Sequence, residues 1–169
     1  MTNYINDVPG LGLRKIEFMK AGGTVWDMAI GMQENFNLRP DYPVGDTFPD
    51  GVTRKTDDAA CFGVFRQGWG MIRQSVRQYR KCKPTDYLWG TALNSNLHWD
   101  IVVLHACQKH WKKLWFAGHR GGEDGLKGIW PQSDIQGYQL ALNWIHGKLL
   151  SDKKYLTDNT RFGMDVKPV

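Results

Sequence analysis

The run Gly22-Gly23-Thr24-Val25-Trp26-Asp27-Met28-Ala29-Ile30-Gly31-Met32-Gln33-Glu34-Asn35-Phe36 decides how the rest of the chain is read. Two glycines and a threonine cap open a helix from Thr24 to Asn35. Val25, Met28, Ala29 and Met32 recur at the helical period and mark a face turned to a core. A second row, Trp26, Ile30 and Glu34, ends an apolar ridge on an acid. The next stretch cannot be helical: residues 39–58 hold Pro40, Pro43, Gly45, Pro49 and Gly51, which suits a small, irregular β-hairpin lobe.

Outward from there the chain is mostly helix. The row Phe65, Trp69, Ile72, Val76, Tyr79 predicts an amphipathic helix over 63–80. Leu97, Ile101, Leu104, Gln108, Trp111 and Trp115 predict the long central helix over about 96–115. Five glycines over Gly118–Gln132 read as a loop bordering a cleft wall, with Trp130 as a stacking platform. Ser133 and Gln136 form a capping box that opens a helix burying Ile135, Tyr138, Leu142 and Ile145. The polar tail after Ser151 is expected to wrap the surface. The expectation is one α+β domain over residues 1–169, mainly helical with a small β lobe. A cleft between the lobes would take an extended polymer.

Composition narrows the function. Neither an apolar run long enough for a membrane span nor a signal peptide is read in the chain. A net charge of +5 is spread along the sequence rather than gathered, so nucleic acid is not expected as a partner. Cys61, Cys82 and Cys107 allow at most one intramolecular bridge, with Cys61–Cys107 expected if the protein is secreted and a pairing through Cys82 left open. No cysteine pair or histidine spacing suggests a metal, and no P-loop, dinucleotide glycine pattern or serine elbow is present, so no cofactor is expected. The eight Trp are unusual for 169 residues and suit both a helical core and flat platforms for sugar rings.

Two carboxylates carry the chemistry. Glu34 lies at the negative end of its helix beside apolar neighbours, which should favour its protonated form, as a general acid requires. Asp46, at the Gly45-Asp46 turn, should be solvated and ionised, as a base requires. Taken singly, a helix-end Glu and a turn Asp are ordinary surface residues; as a pair across a cleft they are what glycoside hydrolysis uses. Asp57 and Asp58 are the rival bases or substrate contacts, Lys55 is placed to orient a carboxylate or a sugar hydroxyl, and Asn35 to bond a sugar near the scissile link.

The order of elements resembles the lysozyme-like superfamily, in which a helix ends in the catalytic Glu, a hairpin comes next, and a Gly- and Gln-containing segment opens the next helix. Here that segment is Cys61-Phe62-Gly63-Val64-Phe65-Arg66-Gln67-Gly68-Trp69, with Gly63 and Gln67 one residue further apart than in muramidases. A closer resemblance joins Met28–Phe36, Asp41-Tyr42-Pro43-Val44-Gly45-Asp46 and Thr56–Gly63 to glycoside hydrolase family 134. That resemblance implies a secreted, extracellular, inverting endo-β-1,4-mannanase of lysozyme-like fold, with Glu34 as acid and Asp46 as base. It also implies a monomer acting on linear mannan, without cofactor, nucleic acid or membrane. The competing expectations are a muramidase or lytic transglycosylase on peptidoglycan and a non-catalytic carbohydrate binder on the same scaffold.

Overall fold

A computed structural model describes residues 2–166. The elements are β1 (Asn3–Asp7), α1 (Leu11–Lys20), α2 (Val25–Glu34), β2 (Cys61–Phe62), β3 (Gln67–Gly68) and α3 (Trp69–Ser75). They continue with α4 (Ala92–Ser95), α5 (Leu97–Trp111), α6 (Trp115–Leu126), α7 (Gln132–Ser151) and β4 (Thr160–Met164). Short 3-10 turns join several of them. The architecture is mainly helical with two small antiparallel sheets, the α+β class expected. No helix among the described residues is long and apolar enough to cross a membrane.

The helix predicted from Thr24 forms. Thr24 Oγ1 accepts from Asp27 N at 3.1 Å while Asp27 Oδ2 accepts from Thr24 N at 2.9 Å, a reciprocal cap. Every residue of α2 from Asp27 to Glu34 is buried, because the helix packs on α7 to one side and β4 to another. Gly31 permits this closeness: a Cβ there would lie 2.9 Å from Leu38 Cδ2. Asn35 turns extended (φ −134°, ψ 141°) and ends the helix on Glu34.

Four expectations are corrected. The segment 63–80 is not one helix. Gly63 (φ +79°) and Arg66 (φ +49°) fold a tight turn between β2 and β3, so the helix starts only at Trp69 and stops at Ser75. Phe65, Trp69, Ile72, Val76 and Tyr79 are all buried nonetheless, although they do not share one helix. The segment Gly118–Gln132 is not a loop for most of its length: α6 runs through it, broken at Gly122 (φ +57°, ψ −135°). Its glycines serve close packing, since a Cβ would lie 2.9 Å from Met71 Sδ at Gly118, 2.4 Å from Trp130 Cγ at Gly121 and 1.7 Å from Ala117 O at Gly125. The Ser133–Gln136 box does not form; α7 begins at Gln132 behind Pro131, without a side-chain cap. Lastly, no disulfide joins Cys61 to Cys107 or to Cys82, and all three thiols are free.

The part of the tail among the described residues, through Val166, is structured. β4 pairs antiparallel with β1, from Asn3 opposite Met164 to Asp7 opposite Thr160. A fully buried lysine fastens the approach: Lys15 Nζ donates to Tyr155 O at 2.7 Å and Thr160 O at 2.6 Å, beside Asp158. Burial pushes the Lys15 pKa down, against the opposing pull of Asp158. The end of α2 is then gripped by the strand, with Gln33 Nε2 donating to Val166 O at 2.8 Å and Arg161 to Met32 O at 2.9 Å.

A second buried polar cluster holds the β2–β3 turn. Asp100 on α5 accepts from Val64 N at 2.7 Å and from Gln67 Nε2 at 2.8 Å. Its complete burial pushes its pKa up to about 8, despite those two donors. Gly63 must be glycine for the turn to lie there, since a Cβ would be 2.2 Å from Asp100 Oδ1.

Candidate active site

A cleft of about 1400 Å³ runs between the irregular lobe and the α6–α7 side of the molecule. Asp46, Lys55, Asp58, Arg73, His119 and Trp130 are among the residues that line it.

Asp46 is not the solvated turn residue expected. It is 3% exposed, in the left-handed region at φ +69°, which Asp tolerates better than most residues. Its backbone is held at both ends: its N–H donates to Pro43 O at 2.7 Å, and its carbonyl accepts from Lys55 N at 2.9 Å. The carboxylate accepts from Thr47 N at 2.8 Å, forms an ion pair with Arg66 and has Lys55 Nζ 4.0 Å away.

Glu34 is placed differently. Its side chain has no exposed surface, and it does not itself line the cleft. His119 Nε2 lies 3.1 Å from Glu34 Oε1, and the imidazole stacks on Trp115 at 4.7 Å between centroids. Tyr138 also packs on His119, 5.6 Å ring to ring, with the Arg120 guanidinium 4.8 Å above its own ring. Burial pushes the Tyr138 hydroxyl well above its ordinary pKa, and the nearby Glu34 carboxyl adds to that. Arg120 grips Asp134 through two bonds of 3.0 and 2.9 Å, and the Asp134 carboxyl, held by that guanidinium, lies below the usual carboxylate range. The acid candidate lies against His119, with Tyr138 and the Arg120 guanidinium nearby, and the base candidate is flanked by Arg66 and Lys55.

The remaining expected residues divide. Trp130 does line the cleft, its indole N–H donating to Asp134 Oδ2 at 2.9 Å. Asp58 also lines it, clamped by Arg73 at 2.7 and 2.8 Å, which engages both oxygens. Asp57 stays outside: it is exposed at φ +54° and does not line the cleft. Asn35 does not line the cleft: it is buried and donates to Val64 O, bracing the helix end against the β2–β3 turn.

Sequence reasoning missed the roles of His119, Arg66, Arg120 and Tyr138. A signal existed for His119, which lies one helical turn beyond Trp115, but the glycines around it hid the helix. Arg66 left none, because its importance depends on a left-handed turn that no periodicity reports.

No curated protein matches the chain. The family model for glycosyl hydrolase family 134 matches residues 12–166, a span that contains every side chain of the cleft and of the Glu34 enclosure. On that match the chain belongs to glycosyl hydrolase family 134, and is therefore a glycoside hydrolase with polysaccharide as its class of substrate.

Proposed function

We propose that the chain is an inverting endo-β-1,4-mannanase in which Glu34 is the general acid and Asp46 the general base. The observation that carries this reading is the contrast between the two carboxyl groups. Glu34 lies against His119, near Tyr138 and the Arg120 guanidinium, with no exposed side-chain surface, whereas Asp46 lines the cleft between Arg66 and Lys55. A carboxyl withdrawn behind the cleft wall suits proton donation; one that lines the cleft between cations suits the ionised base that activates water.

Inversion needs room for that water between base and anomeric carbon, so the carboxyl groups of such enzymes stand about 6.5–9.5 Å apart. Asp46 belongs to the irregular lobe and Glu34 to the helical one, which makes a wide gap natural. The cleft also offers flat surfaces for pyranose rings at Trp111 and Trp130. Mannan is the substrate proposed, by the family's resemblance, and secretion to where such polymers lie goes with it.

Reducing-end release from linear β-1,4-mannan, from β-1,4-glucan and from peptidoglycan, measured in parallel, tests the substrate. Proton NMR of the earliest products tests the stereochemistry. The expected outcome is internal cleavage of mannan with the α-anomer appearing first. An initial β-anomer would refute inversion, and cleavage of peptidoglycan alone would assign a muramidase.

A further inference from the structure

The turn between β2 and β3 carries one side chain that touches both halves of the site. Arg66 is held in its left-handed conformation by its own N–H, which donates to Gly63 O at 3.2 Å. Tyr42 donates its hydroxyl to the same carbonyl, and its ring supports the guanidinium 4.4 Å from the centroid. From that platform the guanidinium reaches two ways. Nε donates to the backbone carbonyl of Glu34 at 3.0 Å, and Nη1 donates to Asp46 Oδ2. The Glu34 carbonyl is among the last of α2, which have no N–H of their own helix to accept.

We propose that Arg66 is a positioning residue that sets the base relative to the acid, by tying the Asp46 carboxylate to the end of the helix that bears Glu34. The inference rests on the acid–base roles proposed for Glu34 and Asp46. Asp46 belongs to a lobe whose nearby strand pairing is the isolated bridges Gly45–Cys61 and Thr47–Arg54; backbone bonds hold its own turn, and the Arg66 guanidinium joins its carboxylate to the helix end. A guanidinium suits such a tie because its donors form a rigid planar fork, whereas an ammonium is a point charge on a flexible stem. The tie matters because a shift of about 1 Å in a catalytic group can cost about a hundredfold in rate. Four titratable or charged groups face Asp46: Arg66, Lys55, the Cys61 thiol and the Tyr42 hydroxyl. Burial pushes the last two up, Cys61 to about 11, so they are neutral near pH 7. Lys55 supplies charge from 4.0 Å, while the bond to the helix end belongs to Arg66.

Two variants separate charge from tie. Arg66→Met removes both; Arg66→Lys keeps the charge and loses the fork. Each is assayed for kcat and KM across pH on the polymer the wild-type chain cuts, with folding followed by circular dichroism and Asp46→Asn run beside them. Both variants should lose about tenfold or more in kcat with KM little changed. Removing a cation beside a carboxylate makes it easier to protonate, so in Arg66→Met the acidic limb of kcat/KM should move to higher pH. In Arg66→Lys that limb should stay in place. Wild-type kcat in Arg66→Lys overturns the proposal, as does a loss in both variants that falls on KM and not on kcat. If Arg66→Met does not fold, the kcat of Arg66→Lys decides alone. An active Asp46→Asn would remove the acid–base reading itself, a result distinct from either outcome at Arg66.

Discussion

His119 Nε2 stands 3.1 Å from Glu34 Oε1, joining the end of α2 to the middle of α6 across 85 positions of sequence. The ring is held within 11° of parallel to Trp115, so its nitrogen is aimed by stacking rather than free to turn. His119 lines the cleft and contacts the Glu34 carboxyl, whose side chain has no exposed surface. His119→Phe keeps a ring against Trp115 and removes both nitrogens. It should lower kcat by roughly tenfold, the worth of about one buried hydrogen bond, without unfolding the protein. An unchanged kcat would make the imidazole a bystander.

Glu34→Gln and Asp46→Asn should each remove nearly all turnover, on the order of a hundredfold or more. Both replacements conserve shape, and the Asn oxygen can still accept from Thr47 N, so both variants should fold, with a lower melting temperature in Asp46→Asn because Arg66 loses its ion-pair partner. Activity near wild type in Asp46→Asn would direct attention to Asp58, which would first have to leave Arg73.

Asp100 should make stability depend on pH. Its pKa is about 8 in the fold and about 4 in an unfolded chain, so between those values the folded state holds a proton that the unfolded state has lost. Stability should therefore fall as pH rises through that window, by roughly 1 kcal/mol per pH unit from this group. Asp100→Asn should flatten the curve between about pH 5 and 8, read by urea denaturation at several pH values. Parallel curves for wild type and variant would dismiss the effect.

Thiol titration should find one reactive cysteine in the native protein and three after denaturation without reductant. Burial pushes the thiol pKa to about 11 at Cys61 and about 12 at Cys107, and leaves Cys82 the most accessible of the three. Fewer than three thiols in the denatured protein would reinstate a disulfide.

The sequence was most legible where local chemistry agreed with the final packing. The Thr24 cap and the row from Val25 to Met32 specify α2 without help, and α5 and α7 are announced by their apolar periods. It was least legible where glycine had two meanings. In Gly118–Gly125 the same residues that suggest a loop are those that let α6 pack against Met71 and Trp130. The strands β1 and β4 escaped notice because five polar-rich residues at each end of a chain become strands only by meeting each other. Glu34 and Asp46 were visible as a pair through motif order, but their partners were not. Arg66 and His119 act through contacts across 20 and 85 positions, which no window of sequence spans.

The pairing of β1 with β4 has a consequence for how the enzyme comes into being. That sheet closes a loop of nearly the whole chain, and such distant contacts form late in folding even where the entropic cost of closure rises only slowly with length. Gln33 and Met32, next to Glu34, are held by residues of the same late strand and its exit. Helical signal should therefore return early during refolding from denaturant, with activity lagging behind it until the two ends of the chain have met.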